Sequence, residues 1–352
     1  MYASLYPLAD WRWPPGHDLA ALLVLPRTRW QGGFEAWSNG LGYLPLGLLV
    51  CIGVRRSGGS LRAAFLAAAL LPAALSYTME VLQQFLPRRV PALEDFALNS
   101  AGGLAGAVLA LGGHALGWVD RWQRLRSRWV SRDSAGALAL VALWPLGLLF
   151  PAPVPLGLGQ VGERLRDWLA TALADVPWAV DAHALLTAAP AEGTPLRPLS
   201  EALIVAAGLL APIFVAYSVM PRGWRRVVAA LGAVLLAAGG MTLSTMLNFG
   251  PAHALAWVAE PAREGFVVGL LVALLAVPAG TRVVLGLGLV ALTALVVGVA
   301  QAPADPYFAQ SLQAWEQGRF VRFHGLAQWI GWLWPYAAMA WLFTRLGARG
   351  RD

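Results

Sequence analysis

From 227 to 247, and again from 283 to 300, no charged side chain interrupts the chain. A helix of about 20 such residues, rising about 1.5 Å per residue, covers the roughly 30 Å hydrocarbon core of a bilayer. Lipid offers no hydrogen bonds, so apolar runs of this length cross it as helices. Applied along the chain, the criterion predicts about nine spans, at 39–54, 61–86, 93–116, 135–157, 199–217, 227–247, 264–279, 283–300 and 326–343. The expected fold is therefore all-α, a polytopic transmembrane helical bundle whose first and seventh spans are short.

Composition agrees. Charged residues make up 13% of the 352, against about 25% in ordinary globular domains, and mean hydropathy is +0.59. The net charge of +7 resides in short arginine clusters between apolar runs, not on a polar helix face, so no nucleic-acid partner is expected. The lone cysteine, Cys51, lies in an apolar run and forms neither a disulfide pair nor a metal-thiolate motif. No metal and no cofactor are implied. Residues 1–15 lack the basic start and apolar stretch of a cleavable signal.

Arginine placement predicts orientation, because short cytoplasmic loops accumulate lysine and arginine. Arg55, Arg56 and Arg62 follow the first span; Arg121, Arg124, Arg126, Arg128 and Arg132 follow the third; Arg222, Arg225 and Arg226 follow the fifth. Arg282 follows the seventh, and Arg345, Arg349 and Arg351 the ninth. The expectation is a multi-pass protein of the inner cell membrane with a cytoplasmic C-terminus and outer loops at 160–198 and 301–325. Nine spans ending inside place the first residues outside, which leads to the further expectation of an apolar segment upstream, lost through a late start codon.

The densest chemistry lies between Tyr77 and Gly106. Charges within a membrane cost several kcal/mol, so such groups are expected to face one another or a wet cavity. Glu80 and Gln83 share a face near the outer end of the second span, and Asp95 and Asn99 share one near the start of the third. Pro87 and Pro91 bracket Arg88 and Arg89, which breaks the helix and makes an antiparallel hairpin. The cluster reads either as a structural salt-bridge and amide network or as an outward-facing pocket whose arginines hold an anionic group. Gly102 and Gly106 form a GxxxG step suited to close helix packing.

This stretch resembles the VanZ-like family of membrane proteins, named after a teicoplanin-resistance determinant. The family pattern of Glu, Gln, Arg, Asp, Asn and two spaced glycines falls on Glu80, Gln83, Arg89, Asp95, Asn99, Gly102 and Gly106, and an upstream Asn and Pro-x-Gly signature falls on Asn39, Pro45 and Gly47. The likeness covers residues 37–111. It departs at Ala92, where many relatives carry an acidic or polar residue, which weakens any proton or metal role for that turn. The resemblance implies a tie to glycopeptide resistance and the cell envelope, without a settled chemical mechanism.

Domains are expected at 1–38 (external or interfacial segment), 39–116 (VanZ-like helices), 117–134 (basic cytoplasmic loop) and 135–352 (further spans). Pro212 precedes Arg222 by ten residues, as Pro45 precedes Arg55, and a degenerate parallel repeat of a three-helix unit is one expectation for the later spans. The loop at 160–198 reads as a helix over 162–174 followed by irregular chain, with His183 exposed. Glu316, Arg319, Arg322 and His324, just before the ninth span, form a secondary candidate surface for lipid phosphates along the outer interface. No HExxH, P-loop or GxSxG motif occurs. The leading expectation is a binder of an envelope lipid or glycopeptide-like ligand, with the bilayer as its other partner. An enzyme acting on a lipid-linked substrate through Glu80 or Asp95, and a secondary transporter, are the alternatives.

Overall fold

A computed structural model of the chain describes residues 2–5, 10–16, 18–27, 33–87, 89–187, 196–302 and 321–348. The described residues are helical with no strand, and they form two compact units, Met1–Leu125 and Arg126–Asp352. Five of the helices are long and apolar enough to cross a membrane: Leu61–Gln83, Leu93–Ala115, Pro198–Tyr217, Trp224–Phe249 and Thr281–Val299. Each falls on one of the nine ranges read from sequence.

Three long helices form the body of the first unit: α1 (Gly33–Arg56), α2 (Leu61–Gln83) and α3 (Leu93–Ala115), each packed on the other two. Ser60 starts α2 by accepting a hydrogen bond from the Ala63 amide at 3.1 Å. The helix stops at Gln83, ahead of Pro87 and Pro91, and α3 begins with Glu94 and Asp95 in its first turn, where the helix dipole favours negative charge. Glycines set the approach of α1 to α3. A β-carbon on Gly102 would overlap the Gly40 carbonyl oxygen, one on Gly106 that of Leu44, and one on Gly47 that of Gly103. Pro45 lies within α1 on its exposed side. Farther toward the arginine end the core is small: Cys51, Ala64, Ala68, Ala107 and Ala110.

Residues 117–134, expected as a basic cytoplasmic loop between spans, contain a helix, α4 (Trp118–Trp129). Trp118, Trp122 and Leu125 fall on one helical face and all are at least half exposed, at 52%, 58% and 50%. Arg121, Arg124 and Arg128 repeat with the same helical spacing on another face. The arginines, read from sequence as loop charge, alternate here with tryptophans in a pattern that suits a helix lying at an interface.

In the second unit α8 (Pro198–Tyr217) is the buried centre, with every residue from Ile204 to Val215 inside. Around it pack α5 (Ala135–Gly147), α9 (Trp224–Phe249), α10 (Glu260–Leu275), α11 (Thr281–Val299) and α12 (Val321–Ala348). Two ranges read as spans differ from expectation. The range 135–157 holds a helix of only 13 residues, about 20 Å long, and 264–279 is served by the 16-residue α10, about 24 Å long.

After α5 the chain runs without regular structure through Phe150, Val154, Leu156 and Leu158, all buried. Leu156 takes a left-handed backbone, φ 62°, against Gly208 of α8. The Gly159 amide donates to the Gly331 carbonyl at 3.0 Å, and the Tyr336 hydroxyl donates to the Gly159 carbonyl at 3.2 Å. Irregular backbone at membrane depth persists only where protein supplies such partners. Apolarity alone cannot separate a buried segment of this kind from the second half of a helix, which is why the sequence reads as one long span.

Beyond it, α6 (Gly162–Leu173) matches the expected short helix, but the chain expected to be irregular forms a second one, α7 (Val180–Thr187), in which His183 is half-buried.

Candidate functional site

The polar groups of the first unit gather where α2 ends and α3 begins. Ser76, Glu80 and Gln83 recur at i, i+4 and i+7 on α2 and are all buried, with Glu80 only 3% exposed. Glu80 Oε2 accepts a hydrogen bond from the Ala92 amide at 2.9 Å. That bond joins the end of α2 to the residue that opens α3. Asn99 of α3 donates from Nδ2 to Ser76 Oγ at 2.9 Å, and the Tyr43 hydroxyl of α1 lies near the same serine. A column of polar side chains therefore crosses all three helices.

One atom of this column stands out. Asn99 Oδ1 is buried and has no hydrogen-bond partner among the described residues. Buried acceptors are nearly always satisfied, by protein, by ordered water or by a ligand. Asp95, four residues before Asn99, and Glu94 are half-buried, as is Arg89 in the turn. All three carboxylates and Arg89 take part in polar or electrostatic contacts.

The N-terminal segment lies over this end of the helices. Gln83 donates to the Ser4 carbonyl at 3.1 Å, Gln84 to Leu22 at 2.8 Å and the Tyr77 hydroxyl to Leu23 at 2.6 Å. The backbone adds two ties, from the Arg12 amide to Phe85 at 3.0 Å and from Leu93 to Pro26 at 2.9 Å. Leu5 is buried with Met79 and Leu86, and Trp13 meets Phe85 edge to face. Residues before 39 are thus part of the site's wall.

Of the sequence candidates, Glu80, Gln83, Arg89, Asp95 and Asn99 come together here; Arg88 lies outside the described residues, and the side chain of Asn39 also lies outside them. Glu316 and Arg319, and the side chains of Arg322 and His324, lie outside them as well. Sequence reasoning passed over Ser76 and Tyr43. Ser76 carries a readable signal, its place one helical turn before Glu80, whereas the cover engages Gln83 and Tyr77 through backbone carbonyls, which leave no trace in residue type.

A second polar cluster was also passed over. Arg226, read as loop charge, is 1% exposed at the end of the second unit. Its guanidinium donates to the carbonyls of Tyr217 and Met220 at 3.1 Å each, of Val277 at 3.1 Å and of Ala279 at 2.9 Å, and it lies 5.1 Å from the Tyr217 ring centroid. Helix C-termini leave carbonyls without intrahelical donors, and Arg226 fills that need for α8 and α10 together. Its role is architectural. Elsewhere in this unit Ser244 and Asn248 of α9 both donate to the Leu149 carbonyl at 3.2 Å, holding the irregular segment. No group of three or more potential metal-ligating side chains occurs among the described residues.

Residues 4–116 match the family model described as VanZ/LLP1. No curated protein and no solved structure matches the chain.

Proposed function

From the match of residues 4–116 to the VanZ/LLP1 model and the five helices long and apolar enough to cross a membrane, we propose that this is a VanZ-like membrane protein in which the hairpin end of α2 and α3 binds an anionic, hydrogen-bonding ligand of the cell envelope, an amphiphile or a glycopeptide such as teicoplanin. The observation that carries the reading is the orphaned Asn99 Oδ1, held beside Ser76 in a buried polar column. A bound donor, such as a hydroxyl or amide of the ligand, satisfies it. In this reading Arg88 or Arg89 holds the anionic group, Glu80 and Asp95 orient the arginines, and Gln83 exchanges its bond to Ser4 for one to the ligand. The segment ending at Pro26 then acts as a cover that must lift.

The proposed setting is the inner membrane, with the hairpin outside, the arginine clusters inside and nine crossings. In the fourth crossing the irregular chain after α5 completes the depth that its 13 residues leave uncovered. Support for the repeat comes from glycine spacing. Gly265 and Gly269 of α10 face Ala202 and Ala206 of α8, as Gly102 and Gly106 of α3 face Gly40 and Leu44 of α1.

A second reading, a purely structural network, is favoured by the Glu80 bond to Ala92. Asn99→Leu, compared with Arg89→Ala, separates the two through membrane abundance and teicoplanin susceptibility of cells that depend on the protein. Loss of phenotype at normal abundance supports a binding site. Loss of abundance with phenotype in proportion supports the structural network and removes the binding proposal.

A further inference from the structure

At the opposite end of the first unit a cleft of about 140 Å³ opens between α1 and α3, lined by Cys51, Ile52, Arg55, Arg56, Ala110, Leu111 and His114. It lies far from the hairpin: α2 alone separates Arg62 from Glu80 by about 27 Å along its axis. The floor is apolar and the mouth is basic. No lining residue is acidic, so nothing within the cleft neutralises its two arginines.

Arg55 is held in place but left with capacity to bind. Its Nη1 donates to the Gly59 carbonyl at 2.7 Å, while its Nε is buried with no hydrogen-bond partner among the described residues. A guanidinium so fixed still has donors to give, so a phosphate oxygen can take Nη2 and, once it enters the cleft, satisfy the buried Nε. Arg56 and His114 are exposed beside it.

The depth of the cleft argues for the source of that phosphate. Trp118 packs against Gly113, the neighbour of His114, and with Trp122 forms the exposed aromatic face that starts α4. Tryptophan pairs of this kind settle at the head-group level of a bilayer. A free phosphate has no use for the apolar floor of Ile52, Ala110 and Leu111, whereas the upper part of an acyl chain fills it.

We propose that this cleft is a binding site for one anionic phospholipid, its phosphate held by Arg55, Arg56 and His114 and its acyl chain lying against Ile52 and Leu111. The ligand comes from the bilayer leaflet around the arginine end, and the site is independent of the hairpin.

The test uses the full chain in phosphatidylcholine nanodiscs with and without phosphatidylglycerol, followed by native mass spectrometry of the retained lipid. Phosphatidylglycerol retained on the unaltered chain, and retained about tenfold less by the double variant Arg56→Gln, His114→Gln, is the expected result. This variant leaves the Arg55 bond to Gly59 intact, and equal melting temperatures in phosphatidylcholine alone establish that it folds. Arg62→Gln, at the same end but outside the cleft, should retain as much as the unaltered chain. Equal retention by the double variant overturns the proposal. So does displacement of phosphatidylglycerol by excess inorganic phosphate, which would assign the cleft to a soluble anion.

Discussion

The Glu80 carboxylate accepts a hydrogen bond from the Ala92 amide at 2.9 Å, closing the turn between two membrane helices with a side chain from the first and the backbone that opens the second. The bond needs an acceptor, not a charge. Glu80→Gln keeps an oxygen in the same place and should preserve folding, while Glu80→Ala strands the amide and should cost about 1–3 kcal/mol. Chemical unfolding in detergent measures both. Equal loss from the two variants would show that the negative charge itself holds the hairpin.

Close approach of α1 and α3 makes a sharper forecast. Gly106→Ala forces a β-carbon into the Leu44 carbonyl and should destabilise by about 1–3 kcal/mol or more. Gly112→Ala, in the same helix but facing open space, should instead gain about 0.5–1 kcal/mol. Thermal melts of the two variants, run together, read the difference.

For Arg226 the informative change is to lysine, because charge is retained while the fork is lost. One ammonium cannot replace four donated bonds across two helix ends, so Arg226→Lys should lose about 3 kcal/mol of stability. Arg225→Lys, on the partly exposed neighbour, should change it by less than about 0.5 kcal/mol. A fluorescence-detected melting series in detergent would reverse the assignment if the two variants behaved alike.

The N-terminal cover should respond to Tyr77→Phe. Removing the hydroxyl frees the Leu23 carbonyl, and hydrogen exchange at Leu22 to Leu25 should quicken severalfold, about the loss of one net hydrogen bond of roughly 1 kcal/mol. Unchanged exchange there would mean that the backbone ties through Phe85 and Pro26 hold the segment by themselves.

Hydrophobic runs located the long helices because length and apolarity are what the bilayer demands, and the prolines at 87 and 91 marked the hairpin because they cannot continue a helix. What escaped has physical reasons too. Arg226 was counted as loop charge because orientation rules weigh the cost of translocating a cation, and they say nothing about carbonyls converging on it from two other helices. The irregular chain after α5 looked like helix because burial against α8 and α12 substitutes for helical hydrogen bonds without altering apolarity. At the hairpin the spacing of Glu80, Gln83, Asp95 and Asn99 was readable. Ser76, one turn before Glu80, shared that readable spacing and was passed over, whereas Tyr43 was not readable, since a hydroxyl on a separate helix becomes conspicuous only once the packing places it beside the column.

The Gly159 carbonyl obtains its bond from Tyr336, which lies 177 residues later in the chain. At a synthesis rate of about 5–20 residues per second, the ribosome needs roughly 10–35 s to make that partner. In the nine-crossing setting proposed above, the segment after α5 holds throughout this interval peptide groups that lipid cannot accept, so it has to wait in water or inside the insertion machinery. Completion of the second unit is thus scheduled by its last helix, and a chain released before α12 emerges carries an apolar segment with nowhere to settle, the state that membrane quality control is equipped to degrade.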